Sequence, residues 1–349
     1  MSTIAIFGAT GFVGTGLTLK LLDQGHHVVA LSRHPKKWPL QHQNLKVVKG
    51  DILTAPLDEI LTEVDAAYYL VHGLEEDGAD FEYIEARSAT RLAQAAEKVK
   101  LKKIIYLGGL GPDAELSSHL RSRHLVGEIL GLTHACIEFR ASIVLGAQST
   151  SFEMLKALSH RMPVRPVATW LDNPCQPIAF SDLITYLVQA QSVEIKGHTV
   201  VEIGSPEVVA YGDLLDLVAR LENLHRPRFQ VPPIDQRLLL PMLDVVLPEF
   251  SEVAKKLFLS LVHPTVVTDH KAQELFPEIQ PMGLEQAMKV ALESSTTVYP
   301  APWEGDFWKE VADLTLAQTK VGQEKVVERL NNLTQGYSEK IFNRFKRKK

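Results

Sequence analysis

Ile4-Ala5-Ile6-Phe7-Gly8-Ala9-Thr10-Gly11-Phe12-Val13-Gly14 decides how the rest of the chain is read. A short apolar run leads into glycines spaced G-x-x-G-x-x-G, and an amphipathic stretch continues to Gln24. The spacing has a physical cause. Gly8 lets the chain turn sharply off a strand, and Gly11 lets backbone N–H groups approach a pyrophosphate with no Cβ in the way. Gly14 lets the new helix pack closely on the sheet, and the positive end of that helix faces the phosphates. Gly8, Thr10, Gly11, Phe12, Val13 and Gly14 are therefore the expected dinucleotide cradle. The alternative is a tight turn that holds no ligand. A strand directly before the glycines and a helix directly after them weigh against it.

The end of the second strand selects the coenzyme. A site for NAD places Asp or Glu there, about 20 residues beyond the glycines, on the ribose 2′-OH. Here the sequence runs Ala30-Leu31-Ser32-Arg33-His34-Pro35-Lys36-Lys37 and holds no acid. Arg33 and Lys36 suit a 2′-phosphate, so NADPH is expected to bind about tenfold or more tightly than NADH. Asp51 and Ile52 follow the third strand, where the adenine edge falls. Leu70, Val71 and His72 close the fourth strand, where ligand crevices form in parallel sheets. His72 reads equally well as a pocket residue or as an ordinary strand-end histidine.

Working outward, short β-branched runs alternate with amphipathic segments. Strands are expected at 3–7, 27–31, 45–48, 66–71, 103–107 and 135–139, with helices at 11–24, 56–63, 79–100 and 116–130. Nearly continuous apolar strands imply a parallel sheet covered on both faces. The fold class is α/β, a doubly wound parallel-sheet Rossmann fold with a smaller C-terminal α+β substrate or cap region. Residues 1–150 form the expected NAD(P)-binding domain, its sheet completed from 175–205, where 198–203 reads as a strand. Prolines cluster through the expected cap, 151–300, in which a helix is expected at about 211–224. Residues 301–349 read as an amphipathic helix, carrying Trp303, Phe307, Trp308, Val311, Leu314 and Leu316, with a basic tail.

Of the 349 residues, 45% are hydrophobic and 23% charged, ordinary for globular chains. Lys340, Arg344, Lys346, Arg347, Lys348 and Lys349 make the end basic, leaving 31 basic against 42 acidic residues elsewhere. Such a body does not seek nucleic acid, and the tail reads first as a solvated terminus. Cys136 and Cys175 are the only cysteines, and their spacing suggests neither a disulfide framework nor a metal site. Charged residues interrupt the longest apolar stretch, 238–262, so no integral membrane segment is expected. The expected setting is the cytoplasm, as a monomer or homodimer acting on a small-molecule substrate.

These residues resemble the short-chain dehydrogenase/reductases, in particular the extended and atypical branch. That branch includes NmrA-like proteins and the nucleotide-binding accessory subunit of respiratory complex I. The resemblance rests on Gly8–Gly14, Gly50-Asp51-Ile52 and Tyr68-Tyr69-Leu70-Val71-His72. It continues through Tyr106-Leu107-Gly108-Gly109-Leu110-Gly111, Leu120-Arg121-Ser122-Arg123, Val126-Gly127-Glu128 and Ser151-Phe152-Glu153-Met154. Pro177-Ile178 with Asp182, and Glu202 to Pro206, extend it to about residue 293. It implies that Leu107, Gly108 and Gly109 line the coenzyme.

The departures from the family carry as much information. Active members use a Ser after the fifth strand and Tyr-x-x-x-Lys on the next helix, where the Lys lowers the Tyr pKa. Here Gly108 or Gly109 takes the Ser place. One register puts His119 and Arg123 in the Tyr and Lys places, and another puts Leu120 and His124 there. Neither restores the dyad. His119 or His124 as acid, with Arg121 or Arg123 on ribose or oxyanion, is a substitute set. A basic helix face lining the sheet is the alternative. Arg140, after the sixth strand, and Gln176 are the expected substrate contacts. Two functions follow: an NADPH-dependent oxidoreductase of a small organic substrate, or a catalytically silent NADP(H)-binding sensor, regulator or assembly factor.

Overall fold

The computed structural model describes residues 1–38, 40–72, 81–112, 116–132, 135–230 and 235–300, together with 332 and 335. The expected C-terminal helix and basic tail lie outside the described residues. The chain divides into two units, the first comprising 1–145, 176–208 and 265–287, the second 146–175, 209–264 and 288–349. Residues 265–287, expected in the cap, belong to the first unit instead. Ala272, Phe276 and Ile279 are buried in that unit's core.

The first unit is built on seven strands. In chain order these are β1 (Thr3–Phe7), β2 (His27–Ser32), β3 (Leu45–Lys49), β4 (Ala66–Tyr69), β5 (Lys103–Gly109), β6 (Ala135–Ala141) and β7 (Gly197–Ile203). Their spatial order is β7-β6-β5-β4-β1-β2-β3, and every pairing is parallel. The order reverses between β1 and β4, the switch point outside which ligands bind in such sheets. Helices α1 (Phe12–Asp23), α2 (Leu57–Leu61), α3 (Phe81–Val99) and α4 (Ser118–Gly131) make four of the crossovers.

Strand alternation divides the core into two layers. Ile4, Ile6, Val28, Ala30, Tyr68, Ile105, Ile137, Phe139 and Val201 face Leu17 and Leu21 of α1 and Leu183 and Leu187 of the helix Phe180–Gln189. Ala5, Phe7, Leu31, Ala67, Tyr69, Ile104, Tyr106 and Cys136 face Ala89 and Leu92 of α3 and Val126 and Leu130 of α4. Burial on both faces makes the strands read as unbroken apolar runs. The expected strand 66–71 ends at Tyr69, where its pairing with β1 and β5 stops.

In the second unit the helices Thr150–Arg161 and Tyr211–Leu221 are joined by paired strands Arg165–Val167 and Arg228–Gln230. The buried Arg165 guanidinium lies 3.1 Å from Asp216 and occupies the space a side chain at Gly212 would need. Glu153, also buried, accepts hydrogen bonds from Tyr299 at 2.7 Å and Ser295 at 3.0 Å. No helix among the described residues is long and apolar enough to cross a membrane.

Candidate functional site

The glycines of the β1–α1 turn have distinct duties. Gly8 has φ +90, and a Cβ built there falls 2.7 Å from the Leu70 carbonyl, so both the turn and the close approach of β4 exclude a side chain. A Cβ at Gly14 falls 2.1 Å from the Gly8 carbonyl oxygen, which identifies Gly14 as the helix-packing glycine. Gly11 is exposed, and a Cβ added to it meets nothing nearer than 3.4 Å. Packing leaves room for a side chain at Gly11. Gly11 begins α1 with no side-chain cap and no acid in the first turn. Its first amides thus have no side-chain cap, with the positive end of the dipole behind them. Thr10 is exposed, Val13 half-buried, and the Phe12 ring packs on Phe180 at 4.3 Å. Phe12 thus offers the cradle its backbone, since its side chain belongs to the α1 interface.

At the end of β2, Ser32 is buried and accepts a hydrogen bond from the His34 amide at 3.2 Å. Arg33 and Lys36 are exposed beyond it, Lys36 in a single helical turn, Pro35–Lys37. After β3, one Asp51 carboxylate oxygen accepts from the Leu53 amide at 2.8 Å. Arg91 of α3 donates to the Ile52 and Ala55 carbonyls at 3.1 and 2.9 Å. Asp51 is committed in part to its own turn, and the Ile52 side chain is core.

Leu70, Val71 and His72 continue past the end of β4. His72 is exposed by area, yet protein mass crowds it enough that desolvation, and then the Arg123 charge, push its pKa down to about 4. Arg123 lies buried on α4 and donates to the carbonyls of Leu107 and, at 3.5 Å, Val71. Its guanidinium sits 5.0 Å over the Tyr106 ring, and the Tyr106 hydroxyl donates to the Arg123 carbonyl at 2.9 Å. Glu85, buried on α3, accepts from Ser122.

The Ser place is closely packed by neighbouring side chains. A Cβ at Gly108 falls 3.2 Å from both the Glu138 carboxylate and the Tyr106 ring, and one at Gly109 falls 2.9 Å from Leu120. On α4, Ser117 caps the helix through the Leu120 amide, and His119 is half-buried in the first turn. His124 is buried with Nε2 3.1 Å from the Gly109 carbonyl, so its ring is used on the sheet. His119 and Arg123, one turn apart, share a face of α4. Leu120, the other register's Tyr place, is core.

The two expected substrate contacts have other work. Arg140 is buried, with Nε 2.8 Å from Glu138, itself wholly buried and 2.8 Å from His198 Nε2. The Gln176 side chain donates to the Ser205 carbonyl at 2.6 Å and accepts from the Val267 amide at 2.9 Å. It ties two segments of the first unit together, 176–208 and 265–287. Sequence reasoning missed Glu138, Glu85 and Tyr106. A carboxylate inside the apolar run Cys136-Ile137-Glu138-Phe139 was the available signal, because a strand buried on both faces hides an acid only beside a partner. Among the described residues no cluster of His, Cys, Asp or Glu suits a metal.

A family model described as NAD(P)H-binding matches residues 8–135, the stretch from the glycine turn to the start of β6. Among solved structures, WbmH of Bordetella bronchiseptica in complex with NAD+ has a TM-score of 0.61 at 18% identity, covering 84% of this chain and 98% of that one. UDP-glucuronic acid 4-epimerase of Bacillus cereus, with UDP-glucuronic acid and NAD, has a TM-score of 0.64 at 15% identity, with the same coverages. UDP-glucose 4-epimerase of Thermotoga maritima has 0.63 at 13%. These likenesses show a shared Rossmann-type α/β fold. Among curated sequences, uncharacterized proteins of Mycobacterium bovis and Mycobacterium tuberculosis are 57% identical over 37 residues. That match covers 10% of this chain and 4% of theirs.

Proposed function

We propose that this protein is an NADPH-dependent oxidoreductase of a small organic substrate, working in the cytoplasm as a monomer or homodimer. One observation carries the coenzyme reading. The uncapped start of α1 points its amides past Gly11, while the end of β2 offers Arg33 and Lys36 and no carboxylate. Anions are stabilised at such a helix start, and a guanidinium pairs with a phosphate where an acid would repel it. The bound coenzyme would supply the hydride. The chain's own residues hold the pyrophosphate at the Gly8–Gly14 turn and the 2′-phosphate at Arg33 and Lys36. His119 is the residue in place to pass a proton to a substrate oxygen, with neutral His72 as a hydrogen-bonding neighbour past the end of β4. His124 is less suited, since its ring is engaged with Gly109.

A second reading is favoured by one specific feature. With glycine at 108 and 109 in the Ser place, and His and Arg for Tyr and Lys, the site fits a coenzyme-binding sensor that does not turn over. The test separates the two. Calorimetry with NADPH and NADH should give about tenfold or greater preference for NADPH; equal affinities would remove the Arg33 argument. NADPH consumption is then followed with quinones, aldehydes, ketones and the UDP-sugars that the structural relatives hold. Tight binding with no consumption above background selects the sensor.

A further inference from the structure

We propose that Arg123 is a positioning residue that sets the opening between the C-terminal ends of β4 and β5, and through it the seat of the coenzyme's nicotinamide half. The inference rests on the coenzyme reading above and gives a role to a residue that the family pattern would put on the ribose.

The direction of the coenzyme follows from the sheet. The phosphate turn lies at β1 and the 2′-phosphate residues at the end of β2, so the adenosine half extends over β2. The other half must extend over the opposite neighbours, β4 and then β5. There the ladder stops at Tyr69 opposite Tyr106. Past that point Val71 and Leu107 are held by no β4–β5 backbone pairing, and a side chain spans the opening instead. Arg123 donates from one terminal nitrogen to the Leu107 carbonyl and from the other, at 3.5 Å, to the Val71 carbonyl.

Three features make the bracket rigid. The guanidinium is planar and carries its donors in a fixed fork. It rests 5.0 Å over the Tyr106 ring, whose hydroxyl returns a 2.9 Å hydrogen bond to the Arg123 carbonyl. The residue is buried, so its hydrogen bonds are little weakened by water. Its charge also reaches the rim, since Arg123 helps to keep the His72 ring neutral while Glu85 opposes it. Val71 follows Leu70, whose carbonyl packs against Gly8, so the opening is continuous with the phosphate turn.

The test uses the full chain with Arg123→Gln, Arg123→Lys and Tyr106→Phe, and two probes, NADPH and 2′,5′-ADP, which carries the adenosine half alone. Arg123→Gln should weaken NADPH about tenfold, the loss of one charge-assisted hydrogen bond, and leave 2′,5′-ADP within about twofold. The change in nicotinamide fluorescence on binding should shrink, and the His72 ring, followed by NMR, should titrate at a higher pH than in the parent. Arg123→Lys, which keeps the charge without the fork, should restore the His72 titration but not the nicotinamide signal. Tyr106→Phe keeps the core filled and should reproduce the nicotinamide effect in weaker form. Equal weakening of both probes would make Arg123 a general packing residue and overturn the proposal, as would unaltered NADPH binding with unaltered fluorescence. If the parent protein binds neither probe, the coenzyme reading itself fails and this proposal falls with it.

Discussion

Gly14→Ala should damage both folding and coenzyme binding, while Gly11→Ala should damage binding alone. The Cβ added at Gly14 would lie 2.1 Å from the Gly8 oxygen and 2.8 Å from Ala9 Cα, all backbone that cannot rotate away. Ordinary C···O contact needs about 3.3 Å, so the start of α1 must retreat by about 1 Å. Overpacking of this kind costs about 1–3 kcal/mol, and a backbone contact puts it at the upper end. A displacement of that size also takes the first amides out of hydrogen-bonding range of the phosphates. Loss of one or two charge-assisted bonds at about 1.5–3 kcal/mol each predicts a tenfold or greater loss of affinity. At Gly11 the added carbon meets only the Gly8 oxygen at 3.4 Å, and φ is −73, which alanine accepts. Its stability change should stay under about 1 kcal/mol, the cost of alanine at a helix start, while the methyl group stands where the pyrophosphate must come. Urea unfolding and NADPH titration of both variants make the comparison. If Gly14→Ala unfolds and binds like the parent, or if the two variants cannot be told apart in either assay, the assignment of one glycine to packing and the other to ligand is wrong.

Glu138→Gln leaves the buried Arg140 beside a neutral amide, so stability should fall by about 3–5 kcal/mol in chemical denaturation; a loss under about 1 kcal/mol would mean the pair is not a buried ion pair. Both thiols are buried, Cys175 being pushed up to about 12 by burial and the nearby Asp213 charge, and Cys136 driven upward by burial. Neither should react with a disulfide reagent at neutral pH until the protein is unfolded, and stoichiometric labelling of the native chain would contradict that burial. His72, at about 4, and His26, lowered by desolvation and the N-terminal charge, stay neutral in the folded chain at pH values where the unfolded chain takes up protons. Both native pKa values lie below the unfolded value, so stability is fully present above about pH 6.5 and declines toward pH 4. A melting temperature that rises on acidification through that window would reverse the sign argued for these imidazoles.

Most of the first unit was legible because its signals are local or periodic. Gly8, Gly11 and Gly14 fix a turn and a helix start within eleven residues, and the apolar runs from Ile4 to Phe139 each correspond to a strand, all but the half-exposed edge strand β3 buried for most of their length. Strand ends were less legible. Ala66 to Val71 reads as one run, but pairing stops at Tyr69, and only the neighbouring strands decide that. The site was legible where backbone does the work and obscure where side chains meet across the fold. Arg140 and Gln176 look like pocket residues by position, yet Arg140 Nε bonds Glu138 and the Gln176 amide bonds Ser205 and Val267, partners 2 to 91 residues away. Glu138 was hidden for a related reason. Its partner His198 is 60 residues on, and the space it fills is cut out of α4 at Gly127, where a Cβ would fall 2.0 Å from its carboxylate.

The contact between Gly8 and the Leu70 carbonyl has a mechanical consequence. Because bare backbone touches bare backbone there, no side chain can cushion a movement of one strand against its neighbour. A shift where the chain leaves β4 is passed undamped to the Gly8 turn, and a change in that turn travels back the same way.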